Sequence, residues 1–142
     1  MNNEIVKKYS QTNKFGKLLD MQYRLDETGD IIYDVTISEK HLATTTAAHG
    51  GLLAAMMDGV VGVAALEKAS KSGNVVSTVE MKLNFLQPAL LKDQLKGIGK
   101  VLKAGKRIIV VEGKIFNQHN QLLAVGIATM NAYPIEKSDL FK

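Results

Sequence analysis

The longest apolar stretch of the chain runs from Leu52 to Leu66, and a single carboxylate, Asp58, interrupts it. A segment that is apolar around its whole circumference predicts a helix enclosed by other structure. The breakers Ser72-Gly73-Asn74 place the end of this helix near Ser70. Because an aspartate is rarely fully buried unless it is paired or used in chemistry, Asp58 is the first candidate functional residue.

Alternation of apolar and polar residues predicts about six strands. Two precede the helix as a hairpin, because the turn-rich residues 26–30 separate Leu18–Leu25 from Ile31–Ile37. The others follow the helix over Val75–Phe85, Gln94–Leu102, Ile109–Ile115 and Gln121–Ala132. In the first of these four, regular alternation puts Met81 on one face and Thr78 on the other. Gln87-Pro88 ends that strand, since proline cannot donate to a central ladder.

The short loops between the later strands favour antiparallel pairing. One helix buried on all sides must be wrapped by a curved sheet, so the sequence predicts an α+β fold. We expect a single domain over residues 1–142, with a short N-terminal helix or arm over about residues 1–16. Any stripe of the helix that the sheet leaves exposed would need another molecule to cover it.

Composition excludes several classes of protein. The hydrophobic fraction of 46% and charged fraction of 23% are typical of a globular chain. Cysteine is absent, which excludes disulfides, thiolate metal sites and cysteine nucleophiles. The first twenty residues lack the apolar core of a signal peptide, and Leu52–Leu66 is too short to span a bilayer. We therefore expect a cytoplasmic protein without a membrane span.

The net charge is +4, and the basic residues concentrate in one segment: Lys92, Lys96, Lys100, Lys103, Lys106 and Arg107. One interpretation is a solvated strand edge blunted with lysine. The other is an anion-attracting rim for a phosphorylated ligand. A nucleic-acid module would show a recognition helix or aromatic residues among the basic ones, and neither is evident.

Several motifs have the spacing of a known family: His49-Gly50-Gly51, Asp58, Ser77-Thr78-Val79-Glu80-Met81, Asn84-Phe85-Leu86-Gln87-Pro88 and Gly105-Lys106-Arg107. Together they resemble the hotdog-fold acyl-CoA thioesterases, in the branch typified by the phenylacetate-degradation thioesterase. The resemblance covers roughly Ile31 to Tyr133. It implies a curved antiparallel sheet around one central helix, and protomers that pair as homodimers and often as homotetramers.

The resemblance also implies site residues. The residue at Asp58 acts as nucleophile or as general base, the backbone N–H at Gly50 polarises the thioester carbonyl, and the hydroxyl at Thr78 helps to place a water. No cofactor is implied, since CoA is part of the substrate. This chain departs from the family pattern at Ala43 and Thr46, where relatives commonly carry asparagine and glycine.

Physical chemistry supports these roles independently. Backbone N–H groups at a helix start are unsatisfied and carry the positive end of the dipole, and Gly50 and Gly51 let a ligand approach them closely. The alternative is that both glycines only form a permissive turn.

Asp58 has its own structural alternatives, namely capping a helix that restarts at Gly59 or pairing with a basic group. Burial raises the pKa of a carboxyl group in general, so we predict hydrogen-bond donors that keep Asp58 ionised.

Geometry adds a prediction about assembly. Gly50 and Asp58 are eight residues apart in sequence, which is about 12 Å along a helix axis. One helix therefore cannot bring both groups to a single thioester carbon. Two helices packed antiparallel about a twofold axis would, with Gly50 of one chain facing Asp58 of the other.

The remaining candidates are histidines and methionines. His49 is either a general base or a fixed hydrogen-bonding group at the helix start, and the second role is favoured. His41 and His119 are predicted to lie in loops or on the surface, and no cluster has metal-ligand spacing, so no metal is expected. The methionines near the site are predicted to be adaptable core: Met56, Met57 and Met81.

The leading hypothesis is therefore an acyl-CoA thioesterase that releases a free acid and CoA. Asp58 would activate the attack, Gly50 and Gly51 would bind the oxyanion, and CoA phosphates would contact Lys103, Lys106 and Arg107. A non-catalytic acyl-CoA-binding protein on the same fold is the alternative, favoured by Ala43 and Thr46. A hotdog dehydratase is disfavoured because the histidine lacks that group's surrounding pattern.

Overall fold

A computed structural model describes residues 3–142 as one antiparallel sheet packed around a long helix. The helices and strands have these bounds: α1 Asn3–Thr12, α2 Lys14–Leu18, β1 Gln22–Leu25, β2 Ile31–Thr36, α3 Gly50–Ser70, β3 Asn74–Phe85, β4 Gln94–Ala104, β5 Ile108–Phe116 and β6 Leu122–Pro134. The six strands pair in the order β1-β2-β4-β5-β6-β3, every pair antiparallel. The predicted α+β architecture is confirmed.

The core lies between α3 and the strands from β2 to β6. Met56, Met57 and Val61 of α3 are fully buried and pack in one cluster with apolar residues of the sheet. The face of β5 that points to the core consists of alternate residues, all of them buried: Ile109, Val111, Gly113 and Ile115. The two methionines therefore belong to the core, as expected.

The helix α3 has 21 residues and extends beyond the apolar stretch Leu52–Leu66 at both ends. By length and composition alone, the whole helix could span a membrane. The sequence-based expectation that Leu52–Leu66 is too short for a span therefore does not extend to the full length of α3. In the structure its apolar side chains form the core beneath the sheet.

Glycines bring the sheet close to α3. A Cβ atom built on Gly99 of β4 would lie 2.7 Å from the Cβ of Ala64 and 2.8 Å from the carbonyl oxygen of Val60. A Cβ on Gly113 of β5 would meet the Sδ of Met57 and lie 3.0 Å from Cγ1 of Val61. The packing distance between helix and sheet therefore depends on the absence of side chains at these positions.

The N-terminal part of the predicted first hairpin is wrong. Residues 14–18 form α2, and the strand begins only at Gln22. The side chain of Asn13 caps α2 by accepting a hydrogen bond from the Gly16 N–H at 3.0 Å. After the helix, Asp20 adopts a φ of 58°, which turns the chain into β1. This local cap chemistry overrides the apolar character that suggested a strand from Leu18.

A β-bulge in β3 corrects the predicted faces of that strand. The register with β6 shifts between Thr78 and Glu80, and the side chain of the intervening Val79 is 63% exposed. The extra residue reverses the alternation, so Thr78 and Met81 both turn toward the helix side. Regular alternation had assigned them to opposite faces.

The basic segment is not simply a strand edge. β4 lies between β2 and β5, but β2 pairs with it only from Gln94 to Ile98. Within the described chain, the rest of β4 has β5 as its strand neighbour, and Lys100 and Lys103 are exposed there. The edge interpretation therefore holds only for the second half of β4.

His41 lies in the connection between β2 and α3, so it is in a loop, one of the two predicted locations, and not at the surface. The residue is 3% exposed, and its Nε2 is 2.9 Å from the carbonyl oxygen of Leu19. Its Nδ1 accepts a hydrogen bond from the Ser38 N–H at 3.0 Å. His41 thus ties the end of α2 to a short 3-10 turn, whereas His119 is exposed in the β5–β6 loop as predicted.

Candidate active site

The start of α3 carries the predicted backbone donors. His49 is the N-cap residue, and its Nδ1 accepts a hydrogen bond from the Gly51 N–H at 2.7 Å. The Gly51 donor is therefore engaged within the chain. Within the described residues the Gly50 N–H makes no hydrogen bond. Gly50 lies in the first turn of α3, where backbone N–H groups have no carbonyl partner inside the helix. Of the two predicted oxyanion donors, only Gly50 is available to a ligand.

The predicted burial of Asp58 is wrong within this chain, because its side chain lies on an exposed stripe of α3. The stripe starts at Gly51 and includes partly exposed small residues on the same face: Ala54, Ala55 and Gly62. The sheet covers the other faces of the helix and leaves this one open. The prediction that part of α3 stays uncovered is confirmed, and Asp58 lies in that part.

Thr78 is the hydrogen-bond partner of Asp58. Its hydroxyl donates to Oδ1 of the carboxylate at 2.7 Å. The β3 bulge makes this contact possible, since it turns Thr78 toward α3. A donor that holds the carboxylate was predicted from the sequence, and the structure brings these two predicted residues together.

Asp58 lies in a pocket of about 310 Å³. Its walls come from α1, α3, β3, β6 and the segment after β6, and it is lined by Tyr9, Asp58, Gly62, Leu66, Val75, Val76, Ser77, Thr78, Met130, Tyr133, Ser138, Asp139 and Leu140. An apolar cavity of about 150 Å³ holds benzene, so this pocket has room for a larger organic group next to the carboxylate.

Two tyrosines lie close to the carboxylate. The Tyr33 ring packs on α3 beside Asp58, since a Cβ on Gly59 would lie 2.6 Å from its Cζ. The pKa of Tyr9 is raised to about 12. Burial is the main cause, followed by the neighbouring Tyr33 and by the charge of Asp58. Burial is also the main cause that raises the pKa of Tyr33. Both phenols therefore remain protonated, neutral donors at neutral pH.

The sequence model of the thioesterase superfamily matches residues 46–124, which include the helix start, Asp58 and Thr78. The chain belongs to the thioesterase superfamily. It is 32% identical over 126 residues to a protein of Saccharolobus solfataricus named as an esterase, with 89% of this chain and 86% of that protein covered. Human acyl-coenzyme A thioesterase 13 is 25% identical over 125 residues, covering 87% of this chain and 88% of that one.

A solved structure supports the fold of this thioesterase. The PaaI protein of the Escherichia coli phenylacetic acid degradation operon superposes with a TM-score of 0.82 at 18% identity, covering 92% of this chain and 91% of that one. The predicted hotdog fold and the family resemblance are confirmed. As a member of this superfamily the chain is a thioester hydrolase.

The basic residues of this thioesterase lie apart from the carboxylate pocket. Lys103, Lys106 and Arg107 are exposed around the β4–β5 turn, and Nη2 of Arg107 donates to Oδ1 of Asn131 at 3.3 Å. Asn131 pairs with Ser77 across β6 and β3, so the turn is two strands from a residue that lines the pocket. None of the three basic residues lines the pocket itself.

The loop that departs from the family pattern is ordered by its own backbone. Ala43 and Thr46 are exposed, and the Ala43 N–H donates to the carbonyl oxygen of Ala47 at 2.9 Å. The Thr44 hydroxyl accepts hydrogen bonds from the N–H groups of Thr46 and Ala47. The Thr44 hydroxyl therefore stabilises the turn of this loop.

Sequence reasoning missed the terminal parts of the pocket. Tyr9 and Leu140 are far from Asp58 in sequence and lie outside the family-matched residues. The N-terminal segment was expected to be a short helix or arm, with no reason to place it against α3. No grouping of three metal-ligating side chains occurs within residues 3–142, so the described site consists of carboxylate, hydroxyl and backbone groups.

Proposed function

We propose that this thioester hydrolase acts on acyl-CoA, with Asp58 as nucleophile or general base and the Gly50 N–H as oxyanion donor. Hydrolysis forms a bond from oxygen to the thioester carbon, breaks the carbon–sulfur bond and passes a proton to the departing thiolate. Asp58 supplies the base or nucleophile, and Thr78 holds it by a hydrogen bond at 2.7 Å. This pairing of a carboxylate and a hydroxyl, both of which line one pocket, is the observation that carries the proposal.

The acyl-CoA substrate is supported by the name of the human relative, an acyl-coenzyme A thioesterase. CoA carries phosphates, and the exposed turn with Lys103, Lys106 and Arg107 supplies cations for them. The acyl group would enter the pocket beside Asp58. CoA enters as part of the substrate and leaves as a product, so the mechanism needs no resident cofactor.

We further propose a homodimer with composite sites. The exposed stripe of α3 and the free edge of β3 are both unpartnered among the described residues. Gly50 and Asp58 lie at positions about 12 Å apart along the helix axis. Antiparallel contact of two α3 stripes would place Gly50 of one protomer near Asp58 of the other and would bury both carboxylates. Association of two such dimers into a tetramer stays a prediction.

Thiol release from acyl-CoA tests the assignment of Asp58. We expect the wild-type protein to release CoA and Asp58→Asn to lose at least about a hundredfold in kcat, because general acid–base catalysis is worth that much. Asp30→Asn, which changes an exposed aspartate in the β1–β2 turn, is the matched control and should keep full activity. Equal rates for wild type and Asp58→Asn would refute the role of Asp58.

The second candidate is a non-catalytic acyl-CoA-binding protein. Ala43 and Thr46 favour it, because the carboxamide of relatives is absent from this loop. If wild-type protein binds acyl-CoA in a calorimeter but releases no thiol, this candidate replaces the first.

A further inference from the structure

The pocket around Asp58 is closed on one side by parts of the chain outside the family-matched residues 46–124. Tyr9 comes from α1, and Ser138, Asp139 and Leu140 come from the segment after β6. The two segments also meet each other, since Nζ of Lys8 lies 5.8 Å from the centroid of the Phe141 ring. Tyr9 therefore belongs to a wall of the pocket that α1 and the segment after β6 form together.

A side-chain amide fixes the orientation of the Tyr9 hydroxyl. Oδ1 of Asn13 accepts from the Gly16 N–H at 3.0 Å, so the Nδ2 group of the same amide must point the other way. Nδ2 donates to Oη of Tyr9 at 3.3 Å and to Oη of Tyr33 at 3.4 Å. Each phenol oxygen is thus used as an acceptor, and each keeps its own proton to donate.

The Tyr9 proton has no acceptor among the hydrogen bonds of the described residues, although the phenol is partly buried and lines the Asp58 pocket. Asp58 is the nearby anion that acts on this phenol. Within the described residues, Asp58 is hydrogen-bonded to Thr78 and not to Tyr9. Tyr9 and Asp58 line the same pocket of about 310 Å³, which has room for a water that accepts from Tyr9 and donates to Asp58.

The other titratable groups around the carboxylate are few. Tyr9 faces it from α1, Tyr33 from β2, Tyr133 from β6 and Asp139 from the C-terminal segment. No lysine, arginine or histidine lines the pocket. Hydrogen-bond donors from neutral hydroxyls are therefore the means within the described chain of stabilising negative charge on Asp58.

We propose that Tyr9 is a catalytic residue that orients the hydrolytic water beside Asp58. The inference rests on the proposed function and selects its general-base branch. The water accepts a hydrogen bond from Tyr9 Oη and donates one to Oδ2 of Asp58, while Oδ1 is held by Thr78. A lone pair of the water is then directed at the thioester carbon.

The proton balance of this step is complete. The water oxygen bonds to the thioester carbon as its proton passes to Asp58. Collapse of the tetrahedral intermediate breaks the carbon–sulfur bond, and Asp58 returns the proton to the thiolate. Tyr9 stays protonated throughout, consistent with its pKa of about 12.

Tyr9→Phe tests the proposal, because it removes the hydroxyl and keeps the ring that walls the pocket. We expect kcat to fall roughly tenfold with KM nearly unchanged, since one hydrogen bond in the transition state is lost. We also expect the acidic limb of the pH–rate profile to move to higher pH, because the water no longer helps to stabilise the carboxylate. Acetyl-, hexanoyl- and decanoyl-CoA are the probes, and the fastest of them is used for the profile.

Tyr23→Phe is the matched control, since Tyr23 lies in β1 and does not line the Asp58 pocket. Tyr23→Phe should unfold at the wild-type urea midpoint, whereas Tyr9→Phe should unfold slightly earlier, because it loses the hydrogen bond that Asn13 donates to Tyr9 Oη. Both variants should be fully folded under the assay conditions, so a lower kcat in Tyr9→Phe alone reports the proposed role and not unfolding. Unchanged kcat and an unchanged acidic limb in Tyr9→Phe, with Asp58→Asn inactive, overturn the inference and leave the proposed function intact. Full activity in Asp58→Asn overturns both.

Discussion

Gly50 and Gly51 are adjacent glycines with different environments. The imidazole of His49 accepts a hydrogen bond from the Gly51 N–H, and within the described residues the Gly50 N–H makes none. A Cβ on Gly50 would lie 3.7 Å from the Phe85 ring, which is ordinary contact, so space alone does not require glycine there. The oxyanion role proposed for Gly50 therefore concerns its N–H and the access to it.

Gly50→Pro deletes that donor with little disturbance of the helix. Gly50 is the first helical residue, where proline is favoured, and the extended backbone of His49 (φ −64°, ψ 138°) is compatible with a following proline. We expect kcat for acyl-CoA hydrolysis to fall by about 10²–10³, the usual cost of one oxyanion donor. Steady-state thiol release measures it.

Gly50→Ala is the control, because it adds a methyl group and keeps the N–H. Its kcat should stay within about threefold of the wild-type value. If Gly50→Pro is folded by circular dichroism and equally active, the Gly50 N–H is not the oxyanion donor.

At the scale of single residues, the sequence predicted which residues come together better than it predicted the environment around them. Asp58 and Thr78 were both predicted, and they are hydrogen-bonded. The burial of Asp58 was wrong because a helix that is apolar on all faces does not reveal which face its own sheet leaves open. Tyr9 was missed because no sequence pattern connects a residue of the N-terminal helix to one in the middle of α3.

The elements depend on close approach between sheet and helix. β4 crosses α3 at Gly99, where backbone atoms of Val60 leave no room for a side chain. β5 crosses it at Gly113, where the nearest neighbour is the flexible end of Met57. The two glycines should therefore respond differently to the same substitution.

Gly99→Ala should lower the free energy of unfolding by about 1–3 kcal/mol, as expected for overpacking against atoms that cannot move independently. Gly113→Ala is the matched comparison and should cost less, under about 1.5 kcal/mol, because Met57 can change rotamer. Urea unfolding of both variants measures the difference. An equal or larger loss for Gly113→Ala would contradict the packing described for α3.

The elements themselves were largely predictable, with informative exceptions. The start of α3 at the glycine pair and its end near Ser70 follow from periodicity and breakers, as does the count of six strands. The bulge at Val79 was invisible, since one extra residue in a strand leaves its composition unchanged. The loop location of His41 was predictable, but its burial was not, because that burial depends on a tertiary contact with Leu19.

For the whole molecule, the proposed dimer makes a quantitative prediction. A heterodimer of Gly50→Pro and Asp58→Asn chains would contain one site with both defects and one site with neither. Refolding an equimolar mixture should therefore restore about a quarter of wild-type activity, as random pairing in a twofold dimer requires. Thiol release before and after mixing is the measurement.

Each variant alone, carried through the same refolding, gives the baseline. A mixture that stays at that baseline, although subunit exchange is shown by mass spectrometry of differently tagged chains, would mean that Gly50 and Asp58 of the same chain share a site. The twofold arrangement would then be wrong.

The strand order has a consequence for synthesis. β6 is made last and inserts between β5 and β3, and it is the strand neighbour of β3 in the described sheet. Because a chain leaves the ribosome from its N-terminus, β3 emerges before β4 and β5 and has no neighbouring strand to pair with until β6 follows them. A nascent chain that stops before Leu122 would thus have an apolar helix under an incomplete sheet. We expect chaperones to bind the apolar surface that such a chain exposes.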